Sequence, residues 1–255
     1  MKAFSTAISA SLVAISFLSP VTTSAQWTDS VKSSFQKIQP VPPPKKYLTA
    51  KSLIVPVVLI DYGFASLKSE GLQEVNKKIA EEVTEDVSGF KTKVDDYLKY
   101  APAATVYLLN VAGIKGRHKI LARTVILGMS SILSDQVVTL LKHGTHQLRP
   151  DGSTYNSFPS GHTTAAFVGA EMMNQEFGWR SPWYSVAGYT MATATGVLRI
   201  MNNRHWLSDV VTGAGIGMLT TKFSYWLYSK WENRNCPKRV LLYWFSTGIL
   251  FATFK

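Results

Sequence analysis

Two histidines stand out by their neighbours. His205 has a carboxylate four residues on, Asp209, which lies one turn away on the same face if the segment opens a helix. A carboxylate bonded to one ring nitrogen fixes the tautomer and leaves the other nitrogen free to attack. His162 ends the run Asn156-Ser157-Phe158-Pro159-Ser160-Gly161-His162, in which Pro159 and Gly161 are turn-formers and Ser160 suits the N-cap of a helix opening at Gly161 or His162. The N–H groups at such a helix start, beside a small glycine, accommodate an anion, and a histidine at its mouth can give or take a proton near neutral pH. Fixed cations flank both histidines: Lys142 and Arg149 with Pro150 upstream, and Arg199 ahead of His205. Singly, each feature has a bland reading, a capped turn or a surface helix pair. Together they supply cations, a nucleophile and an acid, the set that a phosphoryl group requires.

The three stretches resemble the phosphatidic acid phosphatase type 2 superfamily, which includes lipid phosphate phosphatases, bacterial class A acid phosphatases and vanadium haloperoxidases. Its pattern reads Lys, six residues, Arg-Pro; then Pro-Ser-Gly-His; then Ser-Arg, five residues, His, three residues, Asp. Every spacing is matched, within a resemblance over roughly residues 100–228, and one position departs, Leu198 standing where the family has serine. The resemblance implies that His205 becomes a phosphohistidine, that Asp209 orients it and that His162 protonates the leaving oxygen. Lys142, Arg149, Arg199, the Ser160 hydroxyl and the Gly161 N–H would hold the phosphate, with no metal or other cofactor. Leu198 puts one secondary hydrogen bond in doubt. The substrates implied are lipid phosphates or pyrophosphates: phosphatidic acid, undecaprenyl pyrophosphate or lipid A phosphates. A soluble periplasmic acid phosphatase of broad specificity is the alternative. A vanadium haloperoxidase is a more distant one, since those chains are much longer.

The chemistry asks for more than cations. Phosphate monoester hydrolysis is so slow uncatalysed that an enzyme must supply roughly 20 kcal/mol or more. Charged hydrogen bonds contribute about 1.5–3 kcal/mol each, so nucleophile and acid are both needed. His143 and His146 have a metal-like spacing, but no third histidine or cysteine supports it, and they read as rim residues. No carboxylate cluster suited to a divalent ion is apparent. Arg204 and Trp206 border His205 and are placed to touch substrate.

The elements that position these residues read as helices. Spacings of three and four over 72–90 describe an amphipathic helix lying on a surface, and apolar stretches at 53–65, 97–114, 120–141, 163–177, 183–197 and 209–228 describe the rest. Gly213, Gly215 and Gly217 follow no strand, so they serve close helix packing and not a dinucleotide. Residues 240–254 fit a last helix or a pair of short strands. The fold class is all-α, a bundle of about six core helices embedded in a membrane. The domains are a signal peptide at 1–25, a Pro-rich linker at 26–50, the catalytic domain at 51–232 and an apolar tail at 233–255. Lys2, the apolar run 7–18 and Thr23-Ser24-Ala25 carry the leader reading, the run being short for a span.

A net charge of +11 without a nucleic-acid motif points to a phosphorylated substrate or an anionic membrane surface, and Cys236 alone excludes an intrachain disulfide. Four or more apolar helices place the chain in a bacterial inner membrane with its site facing the periplasm. A mean hydropathy of +0.04 and the charges Asp135, Glu171 and Lys222 favour the soluble periplasmic alternative.

Overall fold

The computed structural model describes Pro42, residues 46–87 and residues 89–247, with side chains to residue 233. The expected leader at 1–25, most of the Pro-rich linker and the end of the tail lie outside the described residues. Within them all regular structure is helical: α1 Ala50–Ser66, α2 Glu70–Asp86, α3 Val94–Leu98, α4 Ala101–Val111, α5 Ile120–Thr145, α6 Gly161–Phe177, α7 Pro182–Met201 and α8 Leu207–Thr247. The choice left open for 240–254 resolves as helix through Thr247.

Helix α6 is the centre. Thirteen of its 17 residues are buried, so it presents no polar face to solvent, as a helix surrounded by others must. It packs on α4, α5, α7 and α8, while α1 lies along α8. These six form the bundle. The glycines of α8 make the approach possible: a Cβ on Gly217 would sit 2.5 Å from the Thr164 carbonyl and one on Gly213 2.6 Å from the Ser160 carbonyl. Gly215 points the other way, with the Pro56 carbonyl 2.7 Å from where its Cβ would be, so one Gly-x-Gly-x-Gly serves two neighbours.

The bundle has two distinct ends. Tyr47, ahead of α1, stacks on Tyr225 and hydrogen-bonds His118, which marks one end. At the other end α2 turns by 95° from α1 and lies across the bundle, where Asn76 donates to the Ser208 hydroxyl and accepts from the Ser208 N–H. The apolar stretch 97–114 is not one helix, which corrects the sequence expectation. Pro102 in the first turn of α4 cannot continue a preceding helix, so α3 stops at Leu98 and Lys99-Tyr100 form the break. That break brings Asp95, Asp96 and Lys99 to the end capped by α2.

Of the described helices, α5 is long and apolar enough to cross a membrane alone, and α1 with α2 passes only as a bent pair. Helix α5 is not a core helix, since only 22% of its apolar window is buried, and Leu121, Ile132 and Leu140 are largely exposed. Asp135 lies on its exposed side, whereas Glu171 and Lys222 face inward. Glu171 accepts from Lys222 Nζ at 2.6 Å and from the Tyr189 hydroxyl at 2.5 Å. Removing one partner strands a buried charge, which costs about 3–5 kcal/mol, whereas replacing both by apolar groups is often neutral. Lys222→Met should therefore lower the thermal midpoint sharply, and Glu171→Met/Lys222→Met should recover most of it. A double variant no more stable than the single one would show that the pair is not the source of the cost.

Candidate active site

All three sequence motifs meet at the end capped by α2. Lys142 lies in the last turn of α5, which closes with His146 in the left-handed conformation (φ 46°). Arg149 sits in the following loop, Gly161 and His162 open α6, Arg199 lies in the last turn of α7, and Asp209 in the first turn of α8. Lys142, Arg149, Gly161, His162, Arg199 and His205 line one cavity of about 960 Å³. Ser160 and Asp209, both fully buried, stand behind its wall. His143 and His146 are exposed and outside the lining, Arg204 is at the rim, and Trp206 is turned to donate its indole N–H to the Leu148 carbonyl. Leu198 lies on the outer face of α7 with Val197 and Ala194, away from the cavity.

His205 precedes α8 and is 2% exposed. Its Nδ1 lies 3.3 Å from Asp209 Oδ2, and the same oxygen accepts from the Ser157 hydroxyl at 2.5 Å and from the Trp206 N–H at 2.9 Å. The ionised carboxylate requires Nδ1 to carry the proton, which leaves Nε2 with a lone pair. Burial outweighs the pull of Asp209 and brings the His205 pKa down to about 4, so the ring is neutral at physiological pH. The Asp209 carbonyl also accepts from the Ser160 N–H at 3.0 Å, tying the second motif to the third.

The cations are held by the loop between α5 and α6. Asn156 bridges two of them, its carbonyl accepting from Lys142 Nζ and its side-chain oxygen from Arg149 Nε at 2.9 Å. Arg199 Nη1 donates to Asp95 Oδ2 at 2.6 Å. Arg149 Nη1 and Arg199 Nε are buried without a partner. Buried guanidinium N–H groups left unpaired are costly, and a tetrahedral oxyanion in the cavity would satisfy them. The Ser160 hydroxyl caps α6 by accepting from Thr163, at 3.5 Å from its N–H and 3.0 Å from its hydroxyl, and keeps its own proton to donate, while Gly161 lines the cavity.

Sequence reasoning missed the segment 92–99. Asp96 Oδ1 lies 2.8 Å from His162 Nε2, Lys99 Nζ 3.3 Å from the same nitrogen, and Asn202 of the α7 C-cap bonds Thr92 and Asp95. The expectation that no carboxylates cluster is thereby corrected: Asp95, Asp96 and His162 offer atoms within 4.8 Å of one another. Asp95 is already paired with Arg199, and Lys99 and Arg199 stand beside the group, a field that repels a divalent ion. The signal was two acids and a lysine at the start of an otherwise apolar stretch.

Residues 123–233 match the family model of the PAP2 superfamily. That segment contains the three motifs whole, and the resemblance read from them holds over it. The chain is 45% identical over 141 residues to the lipid A 1-phosphatase of Porphyromonas gingivalis, a match covering 54% of this chain and 31% of that protein. It thus spans about a third of the curated relative's length. Among solved structures, the transmembrane PAP2-type phosphatidylglycerolphosphate phosphatase of Bacillus subtilis aligns at 16% identity over 69% of this chain and 96% of its own, with a TM-score of 0.49. LpxE of Aquifex aeolicus aligns at 22% identity over 57% and 93%, with a TM-score of 0.43.

The unpartnered N–H groups give a direct test. Charged hydrogen bonds contribute about 1.5–3 kcal/mol, so Arg149→Ala and Arg199→Ala should each weaken inorganic phosphate binding roughly ten- to a hundredfold in calorimetric titration. An unchanged Kd in both would show that the cavity does not bind the anion.

Proposed function

We propose, from the PAP2 superfamily domain at 123–233, that this chain hydrolyses the phosphate ester or pyrophosphate of a lipid through a phosphohistidine. The observation that carries the reading is a neutral, Asp209-bound His205 on the wall of a cavity that three cations and a second histidine also line. In the first step His205 Nε2 attacks phosphorus, a P–N bond forms and the P–O bond to the leaving group breaks. The leaving oxygen takes a proton from His162. Lys142, Arg149 and Arg199 hold the three peripheral oxygens as charge shifts among them, and the Gly161 N–H adds a dipole from the start of α6. In the second step water attacks phosphorus, His162 accepts its proton, and the P–N bond breaks. Asp209 keeps the His205 ring oriented throughout and stabilises the positive charge on it. The phosphate is bound by charge already fixed in the protein, so the scheme needs no metal.

A relative, an exposed apolar surface and surface lysines support a lipid substrate in a membrane. The P. gingivalis protein to which the chain is similar is a lipid A 1-phosphatase. Helices α1 and α5 expose Val55, Val58, Leu121 and Ile132 along their lengths. Exposed lysines at both ends, Lys46 and Lys115 away from the site and Lys68, Lys77, Lys78 and Lys91 beside it, suit anionic headgroups on the two faces. We place the site on the periplasmic face. Phosphatidic acid, lipid A phosphates and undecaprenyl pyrophosphate are the substrates to compare.

Phosphate release from a panel of these lipids should be retained in EDTA, abolished by vanadate and found with the membrane fraction. Full loss in EDTA with recovery on adding magnesium or zinc would refute the metal-free scheme. Activity released by osmotic shock without detergent would refute the membrane placement.

A further inference from the structure

The motifs account for one histidine–carboxylate pair, His205 with Asp209. The cavity holds a second, formed across the fold, distinct from His118–Glu176 at the opposite end of the bundle. Asp96 Oδ1 is 2.8 Å from His162 Nε2, a hydrogen bond, and an ion pair whenever His162 is protonated, between the first turn of α3 and the first turn of α6. We propose that Asp96 is a positioning residue that keeps the proton on His162 until the leaving oxygen takes it. This rests on the hydrolytic reading given above.

The geometry places Asp96 deliberately. Its segment is stapled to the end of α7 by Asn202, which accepts from the Thr92 N–H at 2.9 Å and donates to the Thr92 carbonyl at 3.0 Å and to Asp95 Oδ1 at 3.1 Å. The neighbouring Asp95, 1% exposed, is fixed on Arg199. The break before Pro102 sets both acids at the cavity, so two adjacent carboxylates each hold one group that the chemistry uses.

His162 needs such a partner because of what else faces it. Arg199 from α7, Lys142 from α5 and Lys99 beyond α3 are cations, His205 is neutral, and Asp95 is spent on Arg199. Burial first, and then the Arg199 charge, hold the His162 pKa below the usual histidine value, and the bond to Asp96 opposes both. An acid that loses its proton too early cannot serve a poor leaving group such as a lipid alkoxide. Asp96 supplies to His162 the negative charge that Asp209 supplies to His205, from a half-exposed position, and so raises the proton affinity that burial and Arg199 lower.

Asp96→Asn keeps the shape and removes the charge. Its side chain is 50% exposed, so the variant should fold. The reaction needs protonated His162, so lowering its pKa moves the alkaline limb of the kcat profile to lower pH, by about one unit for loss of an adjacent opposite charge. Asp96→Glu should restore part of the shift. At pH 8 the loss should be larger with an alkyl phosphate than with p-nitrophenyl phosphate, whose leaving group needs little protonation. Histidine-labelled NMR titration should show the same downward movement for His162. An unmoved alkaline limb, or an equal loss at every pH and with both leaving groups, would overturn the proposal. If the unsubstituted chain released no phosphate, the hydrolytic reading would fail by itself, and the NMR titration would still decide whether Asp96 sets the proton affinity of His162.

Discussion

Everything at the working end depends on the buried carboxylate of Asp209. One of its oxygens receives three donors, His205 Nδ1, the Ser157 hydroxyl and the Trp206 N–H, and its carbonyl receives the Ser160 N–H. A fully buried charge persists only where it is hydrogen-bonded and opposed by positive charge. The donors come from the loop ahead of α6 and the residues leading into α8, so pairing one oxygen, Oδ2, fixes both segments, while Oδ1 is buried without a partner. The glycines of α8 let the helices close to the distance those bonds need. Site geometry and bundle packing are therefore the same constraint at this point.

The second constraint is the mutual repulsion of the cations. Lys142, Arg149 and Arg199 face one cavity, and the protein offsets their charge unevenly. Asp95 neutralises Arg199 from behind, Asp151 pairs with Arg204 at the rim, and Asn156 holds Lys142 and Arg149 through neutral oxygens. The cavity stays electropositive, with N–H groups of Arg149 and Arg199 unspent. The two histidines then divide by environment: His205, enclosed, is neutral, while His162 stands in the first turn of α6 beside an acid. Two like groups in unlike surroundings differ in proton affinity, the property that the proposed division into nucleophile and acid draws on.

Much of this was legible in the sequence because the chemistry is local there. The interval from His205 to Asp209 is a helical turn, and Ser160 is a helix cap, so spacing and residue type foretold both contacts. The helices were legible from apolar periodicity, and the packing role of Gly213, Gly215 and Gly217 from the lack of any strand before them. What the sequence hid was long-range. Asp96 lies 66 residues from His162, and Asp95 lies 104 from Arg199, separations at which spacing says nothing. The break between Leu98 and Ala101 was hidden too, because the apolar pattern runs on through it and only Pro102 marked it. The full burial of the Ser160 hydroxyl was hidden as well, since a cap residue is as often exposed.

The central claim is that His205 carries the phosphoryl group between the two steps. Rapid acid-free quenching after mixing with a ³²P-labelled lipid phosphate, followed by peptide mapping, tests it directly. The account predicts a base-stable, acid-labile label on the peptide containing His205, lost in His205→Ala and accumulating when the second step is slowed. Label on any other residue, or its persistence in His205→Ala, would contradict it.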